Sequence, residues 1–442
     1  MKSGDFGLEK KSVLVIGGGV AGIQASLDLA DRGLQVYLVE EGPSIGGKMA
    51  QLDKTFPTMD CSICILAPKM VECYRHPNIK LLVYSELKRV TGFAGNFTTT
   101  ILRKPKYVDE TKCNSCGECA KVCPVRVPSE FNTAFDLRKA IYMPFPQAVP
   151  SVYLIDEKSC LGLSPLICGK CMGACEPKAI IPQQGPEEIQ LNVGAIVVAT
   201  GFEEFNPSSM AEYGYGSYDN VITALEFERL ICATGPLGGH LKRPSDLKEP
   251  HRIAFIQCVG SRSLKSGNPY CSAVCCMFAT KEAVLIKEHH PEAEVYVLYN
   301  ELKAFGKGFN EFVTRAKNEY GVEYLRGRPS ELVENPTTKN LKIKYEDTIR
   351  RLVEFLEVDM VILCPALIPS EKNKQLAETL GIEVDEYGFF KVRDPLLAPV
   401  DTSVDGIFLC GYSQSPKDIP EAVAQASGAA ARAAETIALT SR

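Results

Sequence analysis

Residues 11–30 read Lys-Ser-Val-Leu-Val-Ile-Gly17-Gly-Gly19-Val20-Ala21-Gly22-Ile-Gln-Ala-Ser-Leu-Asp-Leu-Ala30, and this segment fixes the architecture of the N-terminal half. An apolar strand runs into the pattern G-x-G-x-x-G and an amphipathic helix, and a second apolar strand ends at Glu40. This order within about 30 residues is the context of a dinucleotide-binding fingerprint. Gly17 permits the tight turn, Gly19 lets the backbone approach a pyrophosphate, and Gly22 lets helix and strand pack closely.

The segments around this fingerprint indicate which dinucleotide binds. The helix N-terminus attracts phosphates, and Glu40 would accept hydrogen bonds from a ribose. The glycine pair after Glu41 resembles the loop that passes the flavin in flavoproteins with two dinucleotide-binding domains. Strands that end in Ala-Thr-Gly and at Gly411 resemble those that close the FAD domain of disulfide-reductase-like proteins, although Tyr412 replaces the usual acid. We therefore predict bound FAD, with these candidate contacts: Gly17, Gly19, Val20, Ala21, Gly22, Glu40, Glu41, Gly46, Gly47, Lys48, Thr200, Gly201 and Gly411.

A second pattern is Cys113-Asn-Ser-Cys116-Gly-Glu-Cys119-Ala-Lys-Val-Cys123-Pro124. The spacing C-x2-C-x2-C-x3-C-P is typical of a [4Fe-4S] cluster whose fourth cysteine ligates a second cluster. A looser set of four cysteines follows, so eight thiolates could hold two clusters. The expected pairing is crossed: Cys113, Cys116, Cys119 and Cys175 hold one cluster, and Cys160, Cys168, Cys171 and Cys123 hold the other.

Zinc and disulfide bonds are the alternatives for these cysteines. Zinc needs four ligands in two knuckles and does not explain the additional cysteines or the proline. Disulfides need an oxidising compartment, and nothing in the sequence indicates export. The second set departs from the usual spacing, because Leu161–Ile167 separates two of its cysteines and Pro177 comes one residue late. We expect the second cluster to lie under an enlarged loop.

A second αβ pattern begins near residue 251, as a pyridine-nucleotide domain would, but its glycine fingerprint is missing. Four cysteines occupy that place: Cys258, Cys271, Cys275 and Cys276. We infer that NADH or NADPH does not bind there. From the residues alone, this set is either an unusual cluster site or a group of buried free thiols.

Several segments carry a family resemblance: Phe255–Arg262, Asn268–Cys276, Ala304–Glu311 and Thr58–Met70. They closely resemble the A subunit of heterodisulfide reductase, and the similarity runs through nearly the whole chain. The resemblance implies that the four cysteines of the second domain hold a third, noncanonical [4Fe-4S] cluster. The longer relatives carry an extra N-terminal domain and a C-terminal ferredoxin domain, so electron entry through that module would need another subunit or be absent.

The remaining six cysteines lie outside these three sets. Cys61, Cys64 and Cys73 are candidates for a cluster completed by another residue, for a redox dithiol, or for structural thiols. Cys232, Cys364 and Cys410 are expected to pack in the core. Lys48, Lys307 and Glu311 are candidate flavin neighbours, with solvated or structural roles as the alternative.

Composition limits the class of protein. The 442 residues predict two or three domains, and a net charge of −5 gives no indication of nucleic-acid or membrane-surface binding. No apolar run approaches the roughly 20 residues that span a bilayer. Eighteen cysteines without a secretory signal indicate metal or redox chemistry in the cytoplasm.

The predicted fold class is α/β: an FAD-binding Rossmann-type, thioredoxin-reductase-like fold with two dinucleotide domains and an inserted two-cluster ferredoxin-like domain. The FAD domain takes residues 1–105, 186–250 (with a linker) and 366–442. The insert takes 106–185, and the degenerate pyridine-nucleotide-type domain takes 251–365.

The predicted function is that of an FAD and [4Fe-4S] electron-transfer oxidoreductase subunit. The resemblance adds flavin-based electron bifurcation, HdrB/HdrC-like iron–sulfur partner subunits, a donor such as a hydrogenase or formate dehydrogenase, ferredoxin as a possible acceptor, and a dimer within a larger complex. The alternative is a flavin and iron–sulfur subunit of a quinone-interacting or other oxidoreductase complex. A stand-alone NAD(P)H-dependent disulfide reductase would need a second glycine fingerprint, which is missing. No catalytic acid or base stands out.

Overall fold

A computed structural model describes residues 12–163 and 167–440. These residues divide into two compact units. Unit 1 contains the chain up to Ala50, Ile63–Phe202 and the chain from Pro369, and unit 2 contains Gln51–Ser62 and Glu203–Ile368. Within the described parts of the chain, none of the helices combines the length and apolarity needed to cross a bilayer.

The helices and strands are numbered along the chain. The helices are α1 (Val20–Ala30), α2 (Ser62–Arg75), α3 (Glu118–Lys121), α4 (Lys170–Ala174), α5 (Ala224–Ile231), α6 (Cys275–His289), α7 (Phe309–Asn318), α8 (Asn373–Leu380) and α9 (Ile419–Thr440). The strands are β1 (Ser12–Ile16), β2 (Gln35–Glu40), β3 (Ile79–Val83), β4 (Ser85–Phe93), β5 (Asn96–Arg103), β6 (Val127–Pro128), β7 (Leu137–Arg138), β8 (Ile141–Tyr142), β9 (Leu154–Ile155), β10 (Glu187–Val193), β11 (Ala195–Val198), β12 (Glu203–Glu204), β13 (Val221–Thr223), β14 (Arg252–Val259), β15 (Glu294–Tyr299), β16 (Glu323–Arg326), β17 (Pro329–Glu334), β18 (Leu341–Asp347), β19 (Leu352–Val358), β20 (Met360–Pro365), β21 (Leu367–Ile368) and β22 (Ile407–Leu409).

Unit 1 is built on a parallel sheet in the order β22-β11-β1-β2-β3. All five residues of β1 are buried, because helices cover one face of the sheet and other strands cover the opposite face. Val13 and Val15 pack in the same core as the alanines of α1 and α9, while Leu14 and Ile16 pack in the core on the other side. The continuous apolar run of the fingerprint strand is therefore the pattern of a strand buried on both faces.

The cysteine-rich segment enters and leaves unit 1 at one end of an antiparallel sheet ordered β10-β5-β4. Arg103, the last residue of β5, pairs with Glu187, the first residue of β10. The chain between these two residues can therefore form its own small folded segment without disturbing the sheet. That segment has a separate apolar core, to which several of the cysteines contribute.

Unit 2 repeats the parallel architecture with the order β13-β20-β14-β15-β16 and adds an antiparallel sheet ordered β17-β18-β19. Helix α5 begins at a capping box: Thr223 Oγ1 accepts from the Glu226 backbone, and the Glu226 carboxylate accepts from the Thr223 backbone. The face of β14 that carries Phe255 packs on α5, through an edge-on contact between Phe227 and Phe255.

The boundary between the units differs from the one expected from sequence. The sequence pattern predicts that residues 186–250 belong to the FAD domain, yet residues 203–250 are part of unit 2. The reason is strand pairing: β12 pairs with β21, and β13 completes the parallel sheet beside β20. A linker-like composition could not reveal these pairings, because both partners lie more than a hundred residues further along the chain.

We predict that Gly22→Ala destabilises the protein. A Cβ atom at this position would lie 1.8 Å from the Gly17 carbonyl oxygen, which is backbone and cannot move aside. Overpacking typically costs about 1–3 kcal/mol, which exceeds the roughly 1 kcal/mol that alanine gains in helix propensity. Thermal and denaturant unfolding should show the loss, and the control Gly185→Ala should not, since nothing lies within 4 Å of its added Cβ. Equal stability of the two variants would contradict this account.

Candidate functional site

The glycine cradle, formed by Gly17, Gly19, Gly22 and the N-terminus of α1, lies at the end of β1. Gly17 has a left-handed φ of +106°, and an added Cβ would collide with the Ala199 carbonyl oxygen at 2.3 Å. Gly19 is different: its φ of −75° suits any residue, and an added Cβ would meet nothing within 4 Å. The protein therefore leaves open space at the point where a ligand must approach the backbone. This position fits a bound pyrophosphate, with Val20 and Ala21 opening the helix.

Glu40 is held firmly at the end of β2. Its two carboxylate oxygens accept hydrogen bonds from the backbone of Gly18 (2.6 Å) and Gly42 (2.7 Å). Burial raises the pKa of Glu40, and these two backbone donors oppose the rise. Each carboxylate oxygen has a second lone pair. Glu40 can therefore accept further hydrogen bonds, as ribose recognition requires.

The loop after Glu40 returns to the cradle. Gly46 has a φ of +123° and donates its N–H to the Gly18 carbonyl at 2.8 Å. An added Cβ at Gly47 would lie 2.9 Å from the Gly19 Cα atom, and Lys48 follows in a 3-10 helix, Gly47–Gln51. Glu41 is engaged elsewhere, in ion pairs with Lys372 and Lys104.

The strands β11 and β22 bring two more candidate segments of unit 1 to the cradle edge. Thr200 Oγ1 bonds Asn373 Oδ1 at 3.3 Å, and Gly201 has a left-handed φ of +73°. An added Cβ at Gly411 would lie 3.0 Å from the Ala21 Cβ atom. Tyr412 is buried and packs on Phe202 with a centroid distance of 4.6 Å. An aromatic stack thus occupies the position where an acid was expected.

Sequence reasoning missed Lys417, which precedes α9. Its Nζ atom donates to the Gly411 carbonyl at 2.9 Å and to Gln414 Oε1 at 3.1 Å. Burial lowers the pKa of Lys417 to about 8. A lysine shortly before a helix gives no signal in sequence, because most such lysines are solvated.

The insert brings several of its cysteines close together. Cys119 lies near Cys113 and Cys116, and burial, followed by these neighbours, raises its pKa to about 12. A pocket is lined by four cysteines of the expected second set, Cys123, Cys160, Cys168 and Cys171. All eight cysteines of the insert are free thiols. Residues 164–166 of the enlarged loop lie outside the described residues.

Backbone N–H groups already point at two of these sulfurs. Gly162 N donates to Cys160 Sγ at 3.4 Å, and Ala179 N donates to Cys175 Sγ at 3.3 Å. Among the described residues, no three His, Cys, Asp or Glu side chains are arranged to hold a single metal ion.

The unit 2 thiol site consists of Cys258, Cys271, Cys275 and Cys276. Cys258 has a left-handed φ of +60° and lies at a bulge where the register of β14 against β20 shifts between Ile256 and Val259. Bulges and strained residues commonly re-aim side chains at functional sites. The sequence pattern predicts that the following helix begins at Ala279, but α6 begins at Cys275, so two of the thiols occupy its first turn.

The four thiols of the unit 2 site are close enough to influence one another. Burial, followed by the other thiols of the site, raises the pKa of Cys275 well above its ordinary value. The same causes raise the pKa of Cys276 to about 11. Cys276 Sγ lies 3.8 Å from the Glu301 carbonyl oxygen, and Cys275 Sγ lies 3.7 Å from that of Pro365. Metal binding would have to displace protons from these thiols. Cys364 is buried nearby, and burial, Glu282 and three thiols of the site raise its pKa.

A buried charge cluster in unit 2 was also missed from sequence. Glu228 on α5 and Lys281 on α6 form an ion pair whose side chains are fully buried. Glu228 Oε2 also accepts from the Asp53 backbone at 2.6 Å. Burial lowers the pKa of Lys281 to about 8 and raises that of Glu282 well above its ordinary value. Charged residues inside a helix pattern normally indicate a solvated face, so only packing could reveal them.

The remaining candidate cysteines lie apart from these sites. Cys61 and Cys64 are disulfide-bonded, and Cys73 is a free thiol whose pKa burial raises to about 12. Cys232 and Cys410 are buried, as expected for core residues. Lys307 and Glu311 are both exposed in unit 2.

Three family profiles match consecutive parts of the chain. Residues 12–113 match "FAD dependent oxidoreductase", residues 106–129 match "4Fe-4S binding domain", and residues 151–426 match "Pyridine nucleotide-disulphide oxidoreductase". The expected cofactors, FAD and [4Fe-4S] clusters, are thereby confirmed in kind, and the number of clusters is not decided. Thioredoxin reductases of Lactococcus lactis (TM-score 0.53, 14% identity, covering 97% of this chain and 99% of that one) and T. acidophilum (0.50, 14%, 97% and 98%) share the fold.

Similar proteins include the A subunits of several heterodisulfide reductases. The iron–sulfur A subunit of the CoB–CoM heterodisulfide reductase from Methanocaldococcus jannaschii is 56% identical, over 95% of this chain and 63% of its own length. The A subunit of the H(2):CoB-CoM heterodisulfide,ferredoxin reductase from Methanothermobacter marburgensis is 52% identical, again over 95% and 63%. The chain thus spans slightly less than two thirds of these relatives. The chain belongs to the pyridine nucleotide-disulphide oxidoreductase family and is, along nearly its whole length, a homologue of the heterodisulfide reductase A subunits.

Proposed function

We propose that this chain is an FAD- and [4Fe-4S]-containing electron-transfer subunit of a heterodisulfide-reductase-like complex. One observation carries the proposal: within unit 1, the loop that borders the glycine cradle is hydrogen-bonded to the insert. Ser44 Oγ accepts from the Val149 backbone N–H at 2.8 Å, and Ile45 N donates to the Val149 carbonyl at 3.1 Å. Two residues further on, the Ser151 carbonyl accepts from the Ser115 hydroxyl, next to Cys116. A short, fixed path between flavin and cluster sites is what electron transfer requires.

The residues of unit 1 fit FAD. Gly19 leaves room for the pyrophosphate, the α1 N-terminus supplies backbone donors and Glu40 retains acceptor capacity for a ribose. When bound, FAD exchanges electrons in pairs or singly, whereas each cluster carries one. The protein holds and orients these groups and sets the surroundings that determine their potentials.

We assign the cluster ligands in three sets of four free thiols. The first two sets, in the insert, follow the crossed pairing, which the pocket lined by Cys123, Cys160, Cys168 and Cys171 supports. The third is the unit 2 thiol site. Twelve thiols that must stay reduced favour the cytoplasm. Cys61, Cys64 and Cys73 take no part in this assignment.

The partners follow from the names of the relatives. Those names mention hydrogen, formate and ferredoxin together with the heterodisulfide. We propose HdrB/HdrC-like iron–sulfur subunits as partners, a hydrogenase- or formate-dehydrogenase-type donor, and ferredoxin as a second acceptor through flavin-based bifurcation. A dimer within a larger complex completes the proposal. Native mass spectrometry of the complex purified from its source would test it, and co-purification with a haem-bearing membrane subunit would instead favour a quinone-linked complex.

Gly19→Ala should lose FAD while keeping the fold. The added methyl group meets no protein atom, so the stability of the apoprotein should stay within about 0.5 kcal/mol of wild type, as for benign surface changes. The methyl group would occupy the space of the pyrophosphate, and we expect at least a roughly tenfold weaker Kd for FAD, measured by fluorescence quenching. Gly185→Ala is the matched control. Unchanged FAD affinity in Gly19→Ala would contradict the location of the site.

Anaerobically purified holoprotein should contain about twelve irons per chain, because three [4Fe-4S] clusters each contribute four. Cys275→Ser should lower the content to about eight. Cys232→Ser should not, since this buried thiol lies outside the three sets and its Thr234 contact at 3.3 Å suits a hydroxyl. A wild-type content near eight would remove the unit 2 site from the proposal.

NADH should not bleach the flavin absorbance of the holoprotein, whereas dithionite should. The reason is that the helix after β14 begins with thiols where a phosphate-binding glycine turn would be needed. Stopped-flow absorbance under anaerobic conditions would follow both reductants. Rapid bleaching by NADH would show that this unit still binds a pyridine nucleotide.

A further inference from the structure

Arg262 stands between the unit 2 thiol site and an acidic side chain. Its backbone has a left-handed φ of +54°, and its N–H donates to the Tyr270 carbonyl at 2.9 Å, which fixes it on the loop between Cys258 and Cys271. Its Nη2 atom pairs with Glu301 Oε2 at 3.1 Å. A strained, hydrogen-bonded backbone and an ion pair thus orient this guanidinium.

The guanidinium also faces the sulfur of Cys258. Its positive charge lies close to the Cys258 thiol, and its ion-pair partner Glu301 has a backbone carbonyl oxygen 3.8 Å from Cys276 Sγ. Arg328 adds a second nearby positive charge, and it is itself hydrogen-bonded to Tyr213. Cys258 therefore combines a strained backbone with two neighbouring cations, Arg262 and Arg328.

One donor of Arg262 has no acceptor. Its Nη1 atom is buried and makes no hydrogen bond within the described part of the chain. A buried donor on a charged group is costly to leave unpaired, and such groups usually mark an acceptor that is not part of the polypeptide. At this place the acceptor that the chemistry suggests is sulfur, because Arg262 lies on the loop between two cysteines of the unit 2 site and its charge lies close to the thiol of Cys258.

We propose that Arg262 donates hydrogen bonds to sulfur at the unit 2 thiol site and thereby raises the reduction potential of the cluster held there. The inference rests on the proposed function, since it requires a cluster at that site. Reduction adds one electron from an external one-electron donor, breaks no bond and takes up no proton in this scheme. The cluster and its thiolates gain one negative charge, so a fixed cation and its N–H groups stabilise the reduced form more than the oxidised form.

Glu301 has a defined part in this arrangement. Its carboxylate forms one ion pair with Lys303 Nζ at 3.1 Å and another with Arg262. Its backbone carbonyl oxygen faces Cys276. The carboxylate therefore positions the guanidinium from the solvent side, where its side chain is 53% exposed, while Nη1 stays buried. Lysine could replace the charge of Arg262 but not its planar fork of donors.

The test is an EPR-monitored redox titration of anaerobic holoprotein with dithionite and mediators. The signal of the unit 2 site is identified as the one that Cys275→Ser removes. In Arg262→Gln, we expect its midpoint potential to shift to more negative values, with a smaller shift in Arg262→Lys. The signals of the insert should not move. The control is Arg350→Gln, which changes a 70% exposed arginine of the same unit. An unchanged midpoint in Arg262→Gln would overturn the inference.

A second measurement decides the case in which Arg262→Gln loses its cluster. Wild-type protein labelled with ¹⁵N-arginine should show nitrogen hyperfine coupling to the reduced unit 2 cluster by pulsed EPR, and the coupling should weaken in Arg262→Lys, where Arg328 is the labelled arginine that remains near Cys258. A cluster without arginine coupling would refute the role of Arg262 and leave the proposed function intact. A wild-type protein with no signal that Cys275→Ser removes, and about eight irons, would instead refute the third cluster and this inference with it.

Discussion

The contact between Gly22 and the Gly17 carbonyl is the constraint on which the rest of unit 1 depends. It lets α1 begin directly at the end of β1, so that the helix N-terminus, rather than a side chain, faces the cradle. Gly47 then approaches Gly19 and Gly411 approaches Ala21, each at a distance that leaves little room for a side chain. These contacts hold the loop between Glu40 and Gly47 in place. The same loop is hydrogen-bonded to the insert through Val149. One set of contacts therefore organises both the glycine cradle and the adjoining part of the insert.

Unit 2 has the same parallel architecture as unit 1 but carries cysteines at the end of its central strand, β14. At the end of β14, where a second phosphate cradle would lie, the chain instead places a strained cysteine and a helix that begins with two more. A helix N-terminus favours negative charge whether the charge is a phosphate or a metal–thiolate group. Cysteines thus stand where the glycines of a phosphate cradle would lie, while the parallel sheet is kept. The fully buried Glu228–Lys281 pair lies in the same unit, where a wholly apolar interior would be the simpler solution.

Much of the site could be predicted from sequence because its chemistry depends on residues close together along the chain. The fingerprint and the C-x2-C-x2-C-x3-C-P run each lie within a single segment, and the structure brings the fingerprint strand and the closing strands side by side in one sheet. Glu41 follows the same strand as Glu40, and its ion pairs with Lys372 and Lys104 join segments that are too far apart in sequence to be foreseen. Lys417, Lys281 and Arg262 were missed because a charged residue in a helix or loop looks solvated until its neighbours are known.

The sequence by itself determined the cofactor classes and the parallel αβ architecture, because glycine and cysteine spacings express local requirements of backbone geometry and metal ligation. Only the tertiary structure decided where unit 2 begins, since the pairings of β12 with β21 and β13 with β20 join distant segments. It also decided that Arg262 has a buried donor beside Cys258 and that α6 starts at a thiol. These features depend on burial and on which strands become neighbours. Neither property can be read from a short segment of the sequence.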